Sequence, residues 1–433
     1  LFRSNIDATI SHTLIYTFYS EIFPLKMRVA YFVVTLLLSL VCKVAISDSD
    51  VNDPCDPANY PYKMVNMTTD EMARWYSPFD ICVLTNYNQV ERCPMPPQRE
   101  CSVTIGYLRL PSVLYQQPVH VVTGEPLKRA SILDFLRDLD RRAQTLVVVG
   151  DSISREHIHS LFCALKFENE RASIYPALTK ALFGVVEFVF TVPAAPGVAT
   201  PDEKFKVVYF SVAGRFACSS FGWVATELNN TVYKADRSAV LMFNMGLHEK
   251  DNGAYTGQLG CILRWAEGGA FGTMPGKSNI FAYRETSAQN YPDSVGGEID
   301  FARRRQWLSG ELPSPVCTSY LCDARVSSVN SRLEIELGLL SENHERVARQ
   351  EQDGSGAGAV AHIHHIPYKH HSRRFWELHP ASGLLNMGNG PHRASAATDC
   401  THSKVNPMQY QPVWNVLADI VGGQKGPGQG GRI

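Results

Sequence analysis

The sequence has no surplus of basic residues. Its 433 residues include 41 Lys and Arg against 42 Asp and Glu, which gives a formal net charge of −1. A protein that binds a nucleic-acid backbone neutralises the phosphates with clustered Lys and Arg. We therefore expect no nucleic-acid partner.

The sequence also lacks the cysteine and histidine spacings of structural zinc sites. It has 11 cysteines but no Cys-x-x-Cys pair, so structural zinc is not expected. We expect no cofactor. Cys42 lies in an N-terminal apolar run, which leaves ten cysteines for the rest of the chain. An even number of cysteines in an exported chain indicates disulfides, whose pairing the sequence does not determine.

The N-terminal apolar run is too short for a comfortable membrane span. Met27-Arg28 precedes an apolar stretch over residues 29–42, which is typical of a signal peptide. We predict an upstream extension over 1–26 and a signal peptide over 27–47. The alternative is an uncleaved signal anchor, the one case in which a membrane would be a partner.

Two sequons agree with a secretory route, namely Asn66-Met67-Thr68 and Asn229-Asn230-Thr231. We expect the protein in the Golgi lumen or outside the cell.

The remainder of the chain divides by composition and periodicity, and no internal repeat is present. We predict a cysteine-rich N-terminal region over 48–130, a catalytic domain over 131–421 and a flexible glycine-rich tail over 422–433. Buried strands are predicted at Thr145–Val149, Val185–Val192, Lys206–Val212, Ala239–Phe243 and Ile280–Tyr283, and helices at Ala254–Ala266 and Ser331–Arg349. Strands that alternate with helices favour an α/β fold with a parallel sheet covered on both faces.

One serine stands where a nucleophile would be favoured. A β-branched run ends at Gly150, and Asp151 and Ser152 then open an apolar-periodic helix. Free backbone N–H groups and the helix dipole at such a position stabilise negative charge. The alternative is that Asp151 and Ser152 only cap the helix.

Asp399 and His402 supply the two other groups that a serine nucleophile needs. The aspartate stands three residues before the histidine, in a segment before a helical pattern over residues 411–421. An imidazole that accepts the serine proton and a carboxylate that orients the imidazole complete a catalytic triad. The alternative is a surface loop with an unrelated aspartate and histidine.

Several segments, taken in order, resemble the PC-esterase group of the SGNH (GDSL-like) superfamily. They are Leu136-x-x-Leu139, Gly150-Asp151-Ser152-x-Ser154-Arg155, Leu161-x-Cys163-x-Leu165, Phe243-Asn244-Met245-Gly246-Leu247-His248, Tyr283-Arg284-Glu285-Thr286-Ser287 and Asp399-Cys400-x-His402. The group includes the plant trichome-birefringence-like polysaccharide O-acetyltransferases. The chain lacks the tryptophan and second cysteine that follow the last motif in plants, so we expect a divergent member.

The resemblance implies a three-layer, flavodoxin-like SGNH fold and assigns roles to residues. Ser152 would be the nucleophile, His402 the general base and Asp399 its orienting carboxylate. The oxyanion would be bound by the backbone N–H of Ser152, the side chain of Asn244 and the backbone N–H of Gly214. Substrate contacts are expected from Arg155, Arg284 and His248.

The implied reaction is transfer of an O-acyl group, expected to be acetyl, to a glycan through an acyl-serine. The partners would be a glycan or polysaccharide acceptor and an acyl donor. Hydrolysis of glycan O-acetyl esters by the same triad is the first alternative. A catalytically silent glycan-binding protein is an alternative of another class.

A histidine cluster leaves a further alternative open. His362 and His364 would share one face of a strand, and His365, His370 and His371 follow closely. Such residues can bind a metal, which would suit a metal-dependent hydrolase, but no carboxylate or cysteine stands at ligand spacing beside them. A polar rim of the active cleft is the favoured interpretation.

We predict that the mature protein begins at Asp48, because Ala45 and Ser47 place small residues at the −3 and −1 positions of a cleavage site. N-terminal sequencing of secreted protein checks this. A secreted chain that begins upstream of Met27 would contradict it.

Overall fold

The computed structural model describes residues 62–71, 83–86, 89–91, 116–180, 184–194, 197, 201–212, 221–244, 252–269, 271, 279–287, 301–313, 327–353, 360–372, 375 and 407–423. The predicted upstream extension (1–26) and signal peptide (27–47) lie outside these ranges.

The strands are β1 (Tyr62–Asn66), β2 (Val83–Asn86), β3 (Gln89–Glu91), β4 (Gln116–His120), β5 (Gln144–Gly150), β6 (Ser173–Lys180), β7 (Val185–Val192), β8 (Glu203–Ser211), β9 (Ser238–Phe243), β10 (Ile280–Arg284) and β11 (Ile363–Ile366). The helices are α1 (Ile132–Arg141), α2 (Ser152–Glu168), α3 (Phe221–Thr231), α4 (Asn252–Glu267), α5 (Phe301–Ser309), α6 (Ser327–Asp353), α7 (Lys369–Ser372) and α8 (Pro407–Gly423).

Within the described ranges, seven strands form one sheet in the order β11-β10-β9-β5-β8-β7-β6. The first five strands of this order are parallel to one another. Counted along the chain from β5, they stand in the spatial order 2-1-3-4-5. The direction of winding therefore reverses between β5 and β9. In an open α/β sheet, ligands bind outside the carboxyl ends of the strands at such a reversal.

The expectation of a parallel sheet is confirmed for these five strands but is wrong for Val185–Val192. That segment is β7, which pairs antiparallel with β6 and with β8. Only residues 181–184 connect β6 to β7, and a parallel crossover needs a dozen residues or more. The alternating burial of β7 is typical of an antiparallel strand.

Both faces of the sheet are covered by helices, so the described part of the chain around the sheet has three layers. On one face, α1, α2 and α8 pack on the sheet around Phe135, Leu161 and Trp414. On the other face, α3, α4 and α6 pack around Val224, Leu259 and Leu340. The core side chains of β5 alternate between the two faces: Leu146 and Val148 point to the first, Val147 and Val149 to the second. The predicted cover on both faces is therefore confirmed.

Helix α2 is fixed at both of its ends. Asp151 is its N-cap and accepts hydrogen bonds from Ile153 N (3.0 Å) and Ser154 N (3.4 Å). At the other end, the Glu168 carboxylate accepts from the free backbone N–H groups of Ile132 (2.6 Å) and Leu133 (2.9 Å) at the start of α1. These contacts satisfy helix-terminal donors, and the Asp151 cap fixes the first turn of α2.

The predicted cysteine-rich region is described only in part. Strands β1 and β4 pair antiparallel there, as do β2 and β3. Cys163 of α2 and Cys261 of α4 each take part in a disulfide. The eight other cysteines outside the apolar run, Cys400 among them, lie outside the described residues. Among the helices that the structure describes, none is both long and apolar enough to cross a membrane.

Candidate functional site

The carboxyl ends of β5, β9 and β10 meet at one edge of the sheet, here called the carboxyl edge. The pairing of Val149 with Phe243 and of Tyr283 with Phe243 brings the three strand ends into register. Ser152 follows β5, Asn244 follows β9 and Arg284 ends β10. Three of the predicted site residues are thus brought to the same edge, at the reversal of the strand order.

Ser152 is the first residue of α2 and is partly buried. The capping role falls to the neighbouring Asp151, which is fully buried. The expected helix cap is therefore present at Asp151, and a role of Ser152 beyond opening the helix stays a prediction. The serine hydroxyl stands instead where the N–H groups and the dipole of a 17-residue helix favour negative charge.

The turn between β5 and α2 depends on a close backbone approach at Gly150. A Cβ at this position would overlap the Ser154 side chain and would lie 3.0 Å from the backbone oxygen of Asn244. Tyr209 of β8 donates its hydroxyl hydrogen to the Asp151 carbonyl (2.7 Å). The two contacts that an added Cβ would make, with Ser154 and with Asn244 O, are the reason that residue 150 must be glycine where β5 and β9 end close together.

Asn244 is buried and is held by its neighbours on both sides. Its backbone N–H donates to Val149 O (3.1 Å), and its side-chain Nδ2 donates to Arg284 O (2.8 Å) and Thr286 Oγ1 (3.3 Å). An Asn amide carries two hydrogens, and both are used here. Donation to an oxyanion would thus replace the longer bond to Thr286. The other amide atom, Oδ1, is buried with no hydrogen-bond partner among the described residues.

Sequence reasoning missed a buried carboxylate beside Asn244. Glu336 of α6 has no exposed surface. It accepts from the hydroxyls of Tyr255 (2.5 Å), Tyr283 (2.8 Å) and Thr286 (2.6 Å). Because Thr286 also contacts Asn244, the carboxylate fixes the orientation of the predicted oxyanion donor. Burial, with the charge of Glu336 added, raises the pKa of Tyr255 and of Tyr283 well above the usual value, so both hydroxyls stay protonated.

A signal for Glu336 is present in the sequence. The side chains that α6 buries include Leu333, Glu336, Leu340 and Asn343, at the spacing of one helix face. Two polar residues on an apolar face indicate buried hydrogen-bonded groups. The pattern does not reveal which strands supply the partners.

A second buried carboxylate, Glu285, organises the end of β11. It accepts from His365 Nε2 (2.8 Å) and from the backbone N–H groups of Tyr368 (2.7 Å) and Lys369 (2.8 Å). Burial alone would raise the pKa of Glu285, but these hydrogen bonds and the charge of His365 hold the pKa below its usual value. His365 therefore has a structural partner.

His362 and His364 lie at the start of β11, away from the carboxyl edge. The rings of His362 and His364 are 4.5 Å apart, and His344 of α6 stacks on His362 at 4.7 Å. Burial, followed by the charges of His362 and His344, lowers the pKa of His364 to about 4. Within the described ranges, no three metal-binding side chains are arranged to hold a metal ion.

The two arginines expected to contact substrate differ in exposure. Arg155 lies in the first turn of α2 and is exposed. Arg284 is completely buried, with its guanidinium above the Tyr368 ring at 5.1 Å. Four other predicted site residues, Gly214, His248, Asp399 and His402, lie outside the described residues. The full triad accordingly stays a prediction.

Several buried polar atoms at the carboxyl edge have no hydrogen-bond partner among the described residues. They are Asp151 Oδ2, Asn244 Oδ1, Ser287 Oγ and the Nε and Nη2 atoms of Arg284. Folded proteins pair the large majority of such atoms, so each exception calls for an explanation such as a catalytic role or a bound water or ion. This edge is therefore the candidate active site.

Comparison with known proteins does not add to this description. No protein-family model matches the chain, and no curated protein matches it either.

We predict that Gly150→Ala lowers the midpoint of urea unfolding, because the added methyl group overlaps Ser154 and crowds Asn244. The expected cost in the free energy of unfolding is about 1–3 kcal/mol. Gly257→Ala in α4 is the matched control, since nothing lies within 4 Å of its added Cβ. The control should keep or raise the midpoint, because alanine favours a helix. A Gly150→Ala protein as stable as the wild type would show that the close approach is wrong.

Proposed function

We propose that the chain is a divergent member of the PC-esterase group and transfers an O-acetyl group to a glycan through an acyl-serine on Ser152. The observation that carries the proposal is the position of Ser152: it opens α2 at the reversal of the strand order, beside Asn244 and the unpartnered polar atoms of the carboxyl edge. The strand order 2-1-3-4-5 and the three layers also fit the flavodoxin-like arrangement of SGNH proteins.

In the proposed first step, Ser152 Oγ attacks the carbonyl carbon of the acyl donor while His402 accepts the hydroxyl proton. Asp399 holds the imidazole in the tautomer that can accept it. The C–O bond to the leaving group then breaks, and the leaving oxygen takes the proton from His402. The enzyme is left with an ester on Ser152.

In the proposed second step, a glycan hydroxyl attacks the acyl-serine. His402 accepts the proton of this hydroxyl and returns it to Ser152 Oγ as the serine ester breaks. The glycan leaves with the acyl group, and the free serine is restored. Attack by water in place of the sugar hydroxyl would give hydrolysis, so the two reactions share every protein group named here.

Each step passes through a tetrahedral oxyanion next to Ser152. The backbone N–H of Ser152 is a donor at the start of α2, where the helix dipole adds positive potential. Asn244 would donate by giving up its 3.3 Å bond to Thr286 while it keeps the 2.8 Å bond to Arg284 O. Gly214 is the proposed third donor, and Arg155 and His248 are proposed to contact the substrate.

This function needs a glycan acceptor and an acetyl donor, and no cofactor. The N-terminal pattern and the sequons support a location of the proposed activity in the secretory pathway, in the Golgi lumen or outside the cell. There the chain would meet cell-wall, matrix or glycoprotein glycans.

We predict that Ser152→Ala lowers turnover about 10³-fold or more, because it removes the nucleophile. The assay incubates the protein with acetylated and unacetylated glycans, with and without an acetyl donor, and follows mass change. A gain of mass on an unacetylated glycan indicates a transferase, and a loss of mass from an acetylated one indicates an esterase.

The control for this assay is Ser309→Ala, which removes an exposed hydroxyl of α5. Activity should be unchanged in the control. Equal activity in Ser152→Ala and the wild type would refute an acyl-serine on Ser152.

We predict further that Asn244→Ala lowers kcat about 10²–10³-fold if its amide binds the oxyanion. Asn343→Ala is the matched control, because Asn343 is also a buried Asn, bonded to Ala361 O (3.1 Å) and Ile363 N (3.0 Å) near the amino end of β11. Both variants should lower the unfolding midpoint, but only Asn244→Ala should lower kcat in the folded protein. A similar small change of kcat in both would restrict Asn244 to a structural role.

A further inference from the structure

The two glycosylation sequons of the chain lie in different kinds of local structure. The first, Asn66-Met67-Thr68, begins at the last residue of β1, and the second, Asn229-Asn230-Thr231, forms the end of α3. An N-glycan is attached to an Asn side chain when a Ser or Thr stands two residues later. The transferring enzyme must therefore reach the side chains of both residues.

Both of these side chains lie on the surface in the first sequon. Asn66 and Thr68 are exposed, whereas Met67 between them is buried. This alternation is typical of extended backbone, in which residues two apart lie on the same side. The folded chain therefore presents the carboxamide of Asn66 and the hydroxyl of Thr68 together.

The Asn66 nitrogen that would carry the sugar is available. Asn66 Oδ1 accepts a hydrogen bond from Nε2 of Gln116, its partner on β4, at 3.3 Å. Among the described residues, Asn66 Nδ2 has no hydrogen-bond partner. A glycosylated Asn keeps its carbonyl oxygen as an acceptor, so the bond from Gln116 can remain when the sugar is attached.

The segment after Asn66 is held by contacts that a glycan would leave intact. Thr68 N donates to Glu71 Oε2 (2.7 Å), and the Thr68 hydroxyl accepts from Glu71 N (3.3 Å), which is the reciprocal arrangement of a capping box. Gln117 of β4 donates to the other carboxylate oxygen of Glu71 (2.6 Å). The Thr68 hydroxyl also donates to Glu71 Oε2 (2.9 Å). Because this last bond is exposed, an enzyme can replace it with little net loss.

The second sequon is divided between two sides of α3. Asn229 is exposed, but the Thr231 side chain is only 5% exposed, and its hydroxyl donates to the Glu227 carbonyl (2.7 Å). Residues two apart in a helix are rotated by about 200° around its axis. Leu228 and Val232 pack in the core on the buried side of the helix. The hydroxyl that the enzyme needs is therefore inaccessible while α3 is folded.

We propose that Asn66 is an N-glycosylation site which the folded chain presents, and that the folding of α3 withdraws the sequon at Asn229. The sugar donor would be an oligosaccharide carried on a lipid diphosphate. Asn66 Nδ2 forms a bond to the anomeric carbon of the sugar, and the bond from this carbon to the diphosphate oxygen breaks. The lipid diphosphate keeps the electron pair of the broken bond, while Nδ2 releases one proton and retains the other. This modification does not depend on acyl transfer.

The first test incubates the folded full chain, produced in bacteria without glycans, with a single-subunit oligosaccharyltransferase and a lipid-linked oligosaccharide. Enzymatic release of the glycan in water enriched in heavy oxygen, followed by peptide mass spectrometry, marks each occupied Asn. The folded chain should be modified at Asn66 and not at Asn229. The same chain, unfolded by reduction and alkylation of its cysteines, should be modified at both.

Variants of the first sequon provide the controls. Asn66→Gln removes the acceptor nitrogen and should abolish modification of this peptide. Thr68→Ala should also abolish it, whereas Thr68→Ser keeps the hydroxyl and should keep the modification. Thr69→Ala is the matched control, because it removes the exposed threonine next to the sequon and leaves the sequon intact.

Three results would overturn the proposal. An unfolded chain that is unmodified at Asn66 would show that this Asn is not an acceptor. A chain modified at Asn66 only when unfolded would show that the fold does not present the site. Equal modification of Asn229 in the folded and unfolded chains would show that α3 does not withdraw its sequon.

The second test needs neither a variant nor an activity assay. Full-length protein secreted by a eukaryotic host should carry a glycan on Asn66, detected by the same peptide mass spectrometry. Secreted protein without a glycan on Asn66 would contradict the proposal, whatever the protein does to its substrate.

Discussion

The parallel pairing of β5 with β9 is the constraint on which the rest of the candidate site depends. It places the turn that carries Ser152 next to Asn244, at the point where the strand order reverses. The approach is close enough that residue 150 must be glycine. A serine at a helix start is common and means little alone. At this edge of this sheet, the same serine lies where α/β proteins bind their ligands.

Polar groups that form a layer behind the site maintain this geometry. Glu336 fixes Thr286, Thr286 contacts Asn244, and Asn244 binds the backbone oxygen of Arg284. Buried networks of this kind specify one arrangement because an unpaired member would cost about 1–3 kcal/mol. Within the described residues, Asn244 Oδ1 and the other atoms of the carboxyl edge named above have no partner. A supporting network that holds the side chains of a site in one orientation is what a preorganised binding site requires.

Much of the fold could be predicted from local sequence. The apolar run that becomes β5 and the glycine that ends it mark the turn before Ser152, because a parallel strand buried on both faces has a continuous apolar sequence. The direction of β7 could not be predicted in this way, since it depends on the short connection to β6. Glu336 was missed for a similar reason: its partners Tyr255 and Tyr283 stand 81 and 53 residues away in the chain. Arg284 was predicted as a substrate contact, but neither its complete burial nor the position of its guanidinium over Tyr368 can be predicted from its own segment.

The central claim is that Ser152 is an activated nucleophile. Treatment of the folded protein with a fluorophosphonate, followed by peptide mass spectrometry, tests this most directly, because only an activated hydroxyl forms the covalent adduct. The account predicts one adduct, on the peptide that contains Ser152, that disappears when the protein is unfolded before treatment. An unlabelled protein, or an adduct on another serine, would contradict the account.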